Sequence, residues 1–122
     1  MVKIFTLKKR KDFLRVAKDF HIATHNKVLQ ATRSSFDDDH FHIGFTATKK
    51  IGNAVIRSKS KRRLRAIARE TLLEYGLKHV DYVFIARLST AYCDFDELKK
   101  DTIYALKKIN KNFTTITPSS PL

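Results

Sequence analysis

Two stretches of this 122-residue chain hold side chains whose types and spacing could do chemistry. In the first, Asp37, Asp38, Asp39 and His40 stand in a row, and His40 and His42 share one face of a strand-like alternation. Carboxylates and imidazoles so placed could hold a divalent cation and activate water for phosphodiester hydrolysis. Two histidines without a third ligand make a weak zinc signal, however, and an aspartate run after Ser34-Ser35 reads better as a solvated turn. His21, His25 and His79 show no ligand spacing, and the lone Cys93 permits no internal disulfide.

The second stretch, KKIGNAVIRSKSKRRLR from Lys49 to Arg65, carries eight Lys or Arg side chains and no carboxylate. Like charges three or four residues apart on a helix cost a few tenths of a kcal/mol per pair. Arg57, Lys59 and Lys61 also fall near a helix start, where the macrodipole favours acids. A merely solvated face would mix both signs. The run therefore calls for an external polyanion, and the whole chain agrees: 25 cations against 12 acids leave a net charge of +13. Seven cations lie in residues 1–18, eight in 49–65 and five in 99–111, so the basic surface is assembled from three segments. KKIGN lacks the glycine spacing of a phosphate-binding loop, and Gly52 reads instead as a tight strand-to-helix turn.

The elements that must position these residues follow from periodicity. LKKRKDFLRVAKDF reads as a short helix with Leu7, Phe13, Leu14 and Ala17 on its apolar side. HIATHNKVLQATR and HFHIGFTATKK read as strands around the acidic turn, with Phe41, Ile43, Phe45 and Ala47 on one face of the latter. On a wheel of residues 53–75, Ile56, Ser60, Leu64, Ile67, Ala68, Thr71 and Tyr75 form the apolar sector. Arg62, Arg65 and Arg69 point the opposite way, and Gly76 ends the helix. DYVFIAR is an apolar run of the kind found in a buried central strand. A last helix begins after Asp94, with Phe95, Leu98, Thr102, Ala105, Leu106 and Ile109 at helical spacing. The predicted order is α-β-β-β-α-β-α: an α+β, two-layer α/β sandwich with one mostly antiparallel sheet of about four strands. Residues 1–113 form one domain and 114–122 a flexible tail. No run approaches the roughly 18–20 apolar residues of a membrane span, the N-terminus does not read as a secretory signal, and a cytoplasmic location is the simplest expectation.

Thr48 to Arg62, TKKIGNAVIRSKSKR, resembles the signature of the bacterial ribonuclease P protein component, approximately Ser-Lys-Lys-(Val/Ile)-Gly-Asn-Ala-Val-x-Arg-Asn-Arg-x-Lys-Arg. LKKRKDF is similar to that family's N-terminal helix and DYVFIAR to its last strand, so the resemblance runs from about Leu7 to Phe113. Arg57-Ser58-Lys59 stands where the family has Arg-Asn-Arg, keeping both charges but losing the amide and one bidentate fork. Ala17 and Phe20 occupy positions where relatives often carry an aromatic and a glycine.

The resemblance implies an accessory subunit of an endoribonuclease whose catalyst is RNA, removing 5′ leaders from precursor transfer RNAs. It assigns no catalytic residue to the protein. Arg57, Lys59, Lys61, Arg62, Arg65 and Arg69 would contact phosphates of the catalytic RNA, with Gly52 and Asn53 shaping the turn. Phe13, Lys49 and Lys50 would belong to a cleft for the single-stranded leader, and magnesium would sit at the RNA with no dedicated protein site. The competing readings are a self-sufficient metal-dependent nuclease using Asp37–Asp39 and His40, and a ribosomal or DNA-binding module. The long helix has no short helix-turn-helix partner for major-groove reading, which favours RNA.

Overall fold

The computed structural model describes residues 2–116. The chain forms β1 (Ile4–Thr6), α1 (Arg10–Ala17), β2 (Phe20–Ala23), β3 (Lys27–Arg33), β4 (Phe41–Thr46), α2 (Ala54–Tyr75), β5 (Val80–Ala86) and α3 (Phe95–Ile116), with single 3₁₀ turns at Lys49–Ile51 and Leu88–Ala91. Of the tail expected over 114–122, residues 114–116 continue α3, and 117–122 lie outside the described residues.

The α+β class is as expected, while the sheet differs in two details. It has five strands, in the order β1-β4-β5-β3-β2, and it is mixed. β2–β3 and β3–β5 are antiparallel; β1–β4 and β4–β5 are parallel. The parallel β4–β5 pair has a simple cause. α2 lies between them in sequence, and a helical crossover brings the chain back to begin the next strand at the same end of the sheet, whereas a short hairpin turn would have made the two antiparallel. The extra strand, Ile4–Thr6, is three residues long, too short for any period to show. DYVFIAR is indeed central, buried on both faces.

One face of the sheet carries the main core. Leu29 and Ala31 of β3, Phe41 and Ile43 of β4, and Tyr82 and Phe84 of β5 cluster with Leu64, Ala68 and Leu72 of α2 and with Ala105, Leu106 and Ile109 of α3. The opposite face carries a smaller cluster of Leu7, Val16 and Val83, with Phe13, Phe36 and Ile85 against it.

α1 lies on that second face with a different side inward from the one its apolar spacing suggests. Leu14 is 48% exposed and Ala17 is exposed, whereas Val16 and Asp12 are buried. An ion network sets this rotation. Arg15 donates to Asp81 of β5 at 2.7 Å, to Asp12 at 3.2 Å and to the Arg33 carbonyl at 3.2 Å. Asp81 is almost fully buried, and such a carboxylate requires its cation nearby.

Gly44 is where α1 meets β4 most closely. A β-carbon there would lie 2.5 Å from Cε1 and 2.8 Å from Cζ of Phe13. Gly44→Ala should therefore displace the Phe13 ring and lower stability by about 1–3 kcal/mol, with Phe13→Leu in the same background recovering part of the loss. Urea unfolding midpoints of the three proteins measure this.

Lys27 of β3 is fully buried, its ammonium 2.6 Å from Asp101 of α3. Burial pulls its pKa below the ordinary 10.5, and the Asp101 carboxylate opposes that shift without cancelling it. Between the lowered value and 10.5 the unfolded chain binds more protons at this residue than the folded one, so its contribution to stability rises with pH. Lys27→Met should lack this rising limb, which denaturant titrations of both proteins from neutral pH to about 10.5 will resolve.

Candidate nucleic-acid interface

The basic run begins at a fixed corner. After the turn Lys49–Ile51, Gly52 adopts φ +145°, a conformation that residues with a β-carbon rarely take. Asn53 then caps α2: its Oδ1 accepts the Ile56 N–H at 3.0 Å, satisfying one of the helix's unpaired donors. The sequence assigned both residues to the turn, and the structure gives each a specific task there.

Along α2 the inward stripe is Ser60, Leu64, Ile67, Ala68, Thr71 and Leu72. Ile56 and Tyr75, expected in this stripe, are half-buried at its ends, and Leu72 joins it. The two buried hydroxyls leave no polar debt, since Ser60 donates to the Ile56 carbonyl at 2.9 Å and Thr71 to that of Ile67 at 2.7 Å. Arg62, Arg65 and Arg69 are exposed. Arg57, Lys59 and Lys61 are half-buried on the flanks.

The cations on α2 divide by what they touch. Arg63 is a strut: it donates to the Thr90 carbonyl at 2.8 Å and the Cys93 carbonyl at 2.6 Å, and it lies 5.9 Å from the Phe95 ring. Arg57 donates to the Gly52 carbonyl at 3.3 Å. Lys59 stands 5.7 Å from the Tyr92 ring and Arg65 5.7 Å from that of Phe45. Arg65 and Arg69 also line a cavity of about 100 Å³ with Ile4, Thr6, Phe45 and Ala68. Among the described residues, none of Arg57, Lys59, Lys61, Arg62, Arg65 and Arg69 forms an ion pair with a carboxylate. The face is positive and internally unneutralised.

The three residues expected in the leader cleft come from two elements, α1 and the turn before α2. Phe13 is half-buried on the sheet face opposite α2, packed on Gly44. Lys49 and Lys50 are exposed in the turn before α2. Lys50 lines a crevice of about 440 Å³ with His25, Thr48, Ile51, Ala86, Arg87, Leu88 and Ser89. It lies just past the ends of the parallel strands β4 and β5. Arg87 and the 67% exposed Leu88 were missed in the sequence, where they look like an ordinary strand end; an apolar side chain left exposed beside cations is visible only once the strands are paired.

The acidic run is occupied locally. Asp38 accepts the His40 backbone N–H at 3.0 Å and pairs with His42 Nε2 at 3.0 Å. These two partners hold its carboxyl below the ordinary 3.8. His42 is itself buried, stacked on Phe36 with ring centroids 3.8 Å apart. Among the described residues no group of three or more His, Cys, Asp or Glu side chains could hold a metal ion. No helix among them is long and apolar enough to cross a membrane.

The mixed five-stranded sheet crossed by an arginine-faced helix is an α+β architecture, and comparison with known proteins identifies its family. Residues 1–110 match the family model described as Ribonuclease P, and the chain belongs to that family. It is 41% identical over 109 residues to the ribonuclease P protein component of Ruegeria pomeroyi, covering 88% of this chain and 87% of that one. It is 42% identical over 105 residues to the protein of the same name from Caulobacter vibrioides, covering 86% and 70%. Among solved structures, the RNase P protein of Staphylococcus aureus superposes with a TM-score of 0.72 at 27% identity, covering 86% of this chain and 94% of the other. That of Thermotoga maritima gives 0.72 at 26%, covering 84% and 96%.

Removing the Asn53 cap by Asn53→Ala should cost about 1 kcal/mol of stability in urea unfolding, because the Ile56 N–H loses its partner. Helical circular dichroism should stay close to that of the parent.

Proposed function

We propose that this chain is the protein subunit of a ribonuclease P ribonucleoprotein, which binds the catalytic RNA and the 5′ leader of precursor tRNA and assists endonucleolytic removal of the leader. The observation that carries the reading is the row Arg62, Arg65 and Arg69, exposed on one helix and, among the described residues, ion-paired with no carboxylate. Guanidinium forks so placed match phosphate oxygens bidentately, and Lys59, Lys61 and Arg57 extend the footprint toward the start of α2.

In this reading the RNA cleaves the bond, and magnesium at the RNA would offset phosphate repulsion and assist hydrolysis, with no residue of this chain assigned to hold it. The protein's residues bind and orient. Lys49 and Lys50 follow the leader's backbone beside the crevice beyond β4 and β5, and Phe13, half-buried with its ring against Gly44, is the aromatic side chain assigned to a base. Asp38 is committed to His40 and His42, which leaves the acidic turn a structural part.

Neutralising six phosphates predicts that log affinity for the catalytic RNA falls against log salt with a slope of about −4 to −5. Arg62→Ala/Arg65→Ala should flatten that slope by about 1.5, and an unchanged slope would remove both residues from the contact surface. Purified protein with magnesium alone should leave precursor tRNA intact and should raise its cleavage once the RNA is added. Shortening the leader should weaken the protein-dependent part of substrate affinity; equal affinity for leaderless substrate would refute the crevice assignment.

A further inference from the structure

The arginine row on α2 borders the recess of about 100 Å³ that lies between this helix and the edge of the sheet. The floor of the recess is apolar, since Ala68 is buried and Ile4 of β1 and Phe45 of β4 are half-buried. Its rim is polar: Thr6, Arg65 and Arg69 are exposed. Among the described residues no acid lines it. Glu70, which follows Arg69 in sequence, is engaged by Lys99 at 3.3 Å.

β1 adds a second feature to this corner. It is an edge strand, paired only with β4. The Lys3 carbonyl accepts from the Phe41 N–H at 2.9 Å, and the Leu7 N–H donates to the Ile43 carbonyl at 2.8 Å. Along such a ladder alternate residues face the same neighbour, so the N–H and C=O groups of Ile4 and Thr6 turn to the open edge. An unpaired edge is a row of directional donors and acceptors. Here it runs beside an aromatic floor and a cationic rim.

A ligand that answers all three features combines negative charge, a planar apolar face and a hydrogen-bonding edge. Phosphate alone leaves Phe45 and Ile4 unused, and an apolar side chain leaves two guanidiniums and the strand edge unanswered. An unpaired nucleotide supplies everything, because single-stranded RNA is recognised by stacking its bases on aromatic rings or guanidinium planes and by hydrogen bonds to the base edges. The Arg65 guanidinium lies 5.7 Å from the Phe45 ring centroid. A base held between the two planes needs about 7 Å, two contacts of about 3.5 Å each. The exposed Arg65 side chain covers the remaining distance by a change of rotamer. A volume of about 100 Å³ admits the edge of one base and excludes a duplex, in which that edge is already paired.

We propose that this recess is a pocket for one unpaired nucleotide of the catalytic RNA: its base sits on Phe45 beneath Arg65, the backbone of Ile4 and Thr6 reads its edge, and Arg69 holds its phosphate. This deepens the reading of α2 and rests on it for the presence of that RNA. The catalytic RNA is the occupant because the recess opens within the arginine row assigned to it, whereas the leader is assigned to the crevice that Lys50 and Arg87 line.

Two full-length variants that keep every charge test the pocket. Phe45→Leu removes the ring, and Thr6→Phe fills the recess from the exposed edge of β1. Each is compared with wild type in salt titrations of catalytic-RNA binding, and in chemical probing of the Watson–Crick edges of unpaired bases in the reconstituted complex with precursor tRNA. Both variants should bind the catalytic RNA about fivefold or more weakly at every salt concentration with the wild-type log–log slope, because stacking is lost and no cation is. One base of the catalytic RNA that the wild-type protein protects should become reactive with both variants. Catalytic RNA made abasic at that nucleotide should bind wild type as weakly as intact RNA binds the variants, with no further loss when the two changes are combined. Circular dichroism checks folding, and Thr6→Phe, at an exposed position, decides the matter should Phe45→Leu fail to fold. Wild-type affinity and protection in folded Thr6→Phe would overturn the pocket, as would additive losses in the combined experiment or a protected base that belongs to the leader. If the pocket failed while Arg62→Ala/Arg65→Ala still flattened the salt slope, the reading of α2 would stand alone. A wild-type protein that did not bind the catalytic RNA would remove both.

Discussion

Leu64, Ala68 and Leu72 of α2 share one cluster with Phe41 and Ile43 of β4 and with Tyr82 and Phe84 of β5, and this contact decides where every charge on the helix goes. Burying a Leu or Ile side chain is worth about 1.5–3 kcal/mol, and Leu64, Ile67 and Leu72 are each wholly buried. Cation pairs three or four residues apart on the same helix, such as Arg57 with Lys61 and Arg65 with Arg69, each oppose folding by only about 0.2–0.5 kcal/mol. Burial wins. α2 can therefore fold fully charged and present its arginines before any polyanion arrives.

The distribution of carboxylates sharpens the point. Where a cation serves the fold, an acid is supplied: Arg15 has Asp12 and Asp81, Lys27 has Asp101, and Lys99 has Glu70. Arg63 serves the fold through backbone carbonyls instead. The outward row on α2 receives neither kind of partner among the described residues, so its charge is not explained by internal architecture.

Much of this was legible in the residues because the relevant signals are local. The stripe of α2 follows from a 3.6-residue period over a long helix, the corner from Gly52 and Asn53, and the central strand from an unbroken apolar run. The parts that failed depend on contacts between distant segments. α1 is turned by Asp81, 66 residues after Arg15, so its own apolar pattern misassigns Leu14 and Ala17. β1 exists because β4 offers it a parallel edge, and three residues carry no period of their own. The crevice near Lys50 forms only when the ends of β4 and β5 are brought side by side, which is why Arg87 and Leu88 gave no sign.

The clasp made by Arg63 bears on how the helix would meet a large ligand. Its guanidinium is fastened to two carbonyls that belong to the chain leaving β5 and entering α3, so α2 cannot slide or roll without tearing both loose. A helix moored at its cap and again at mid-length offers its arginines as a stiff template with spacing set in advance. Less motional freedom then has to be surrendered when a folded surface settles on it, and a stiff nucleic acid would encounter a die already cut to one pitch.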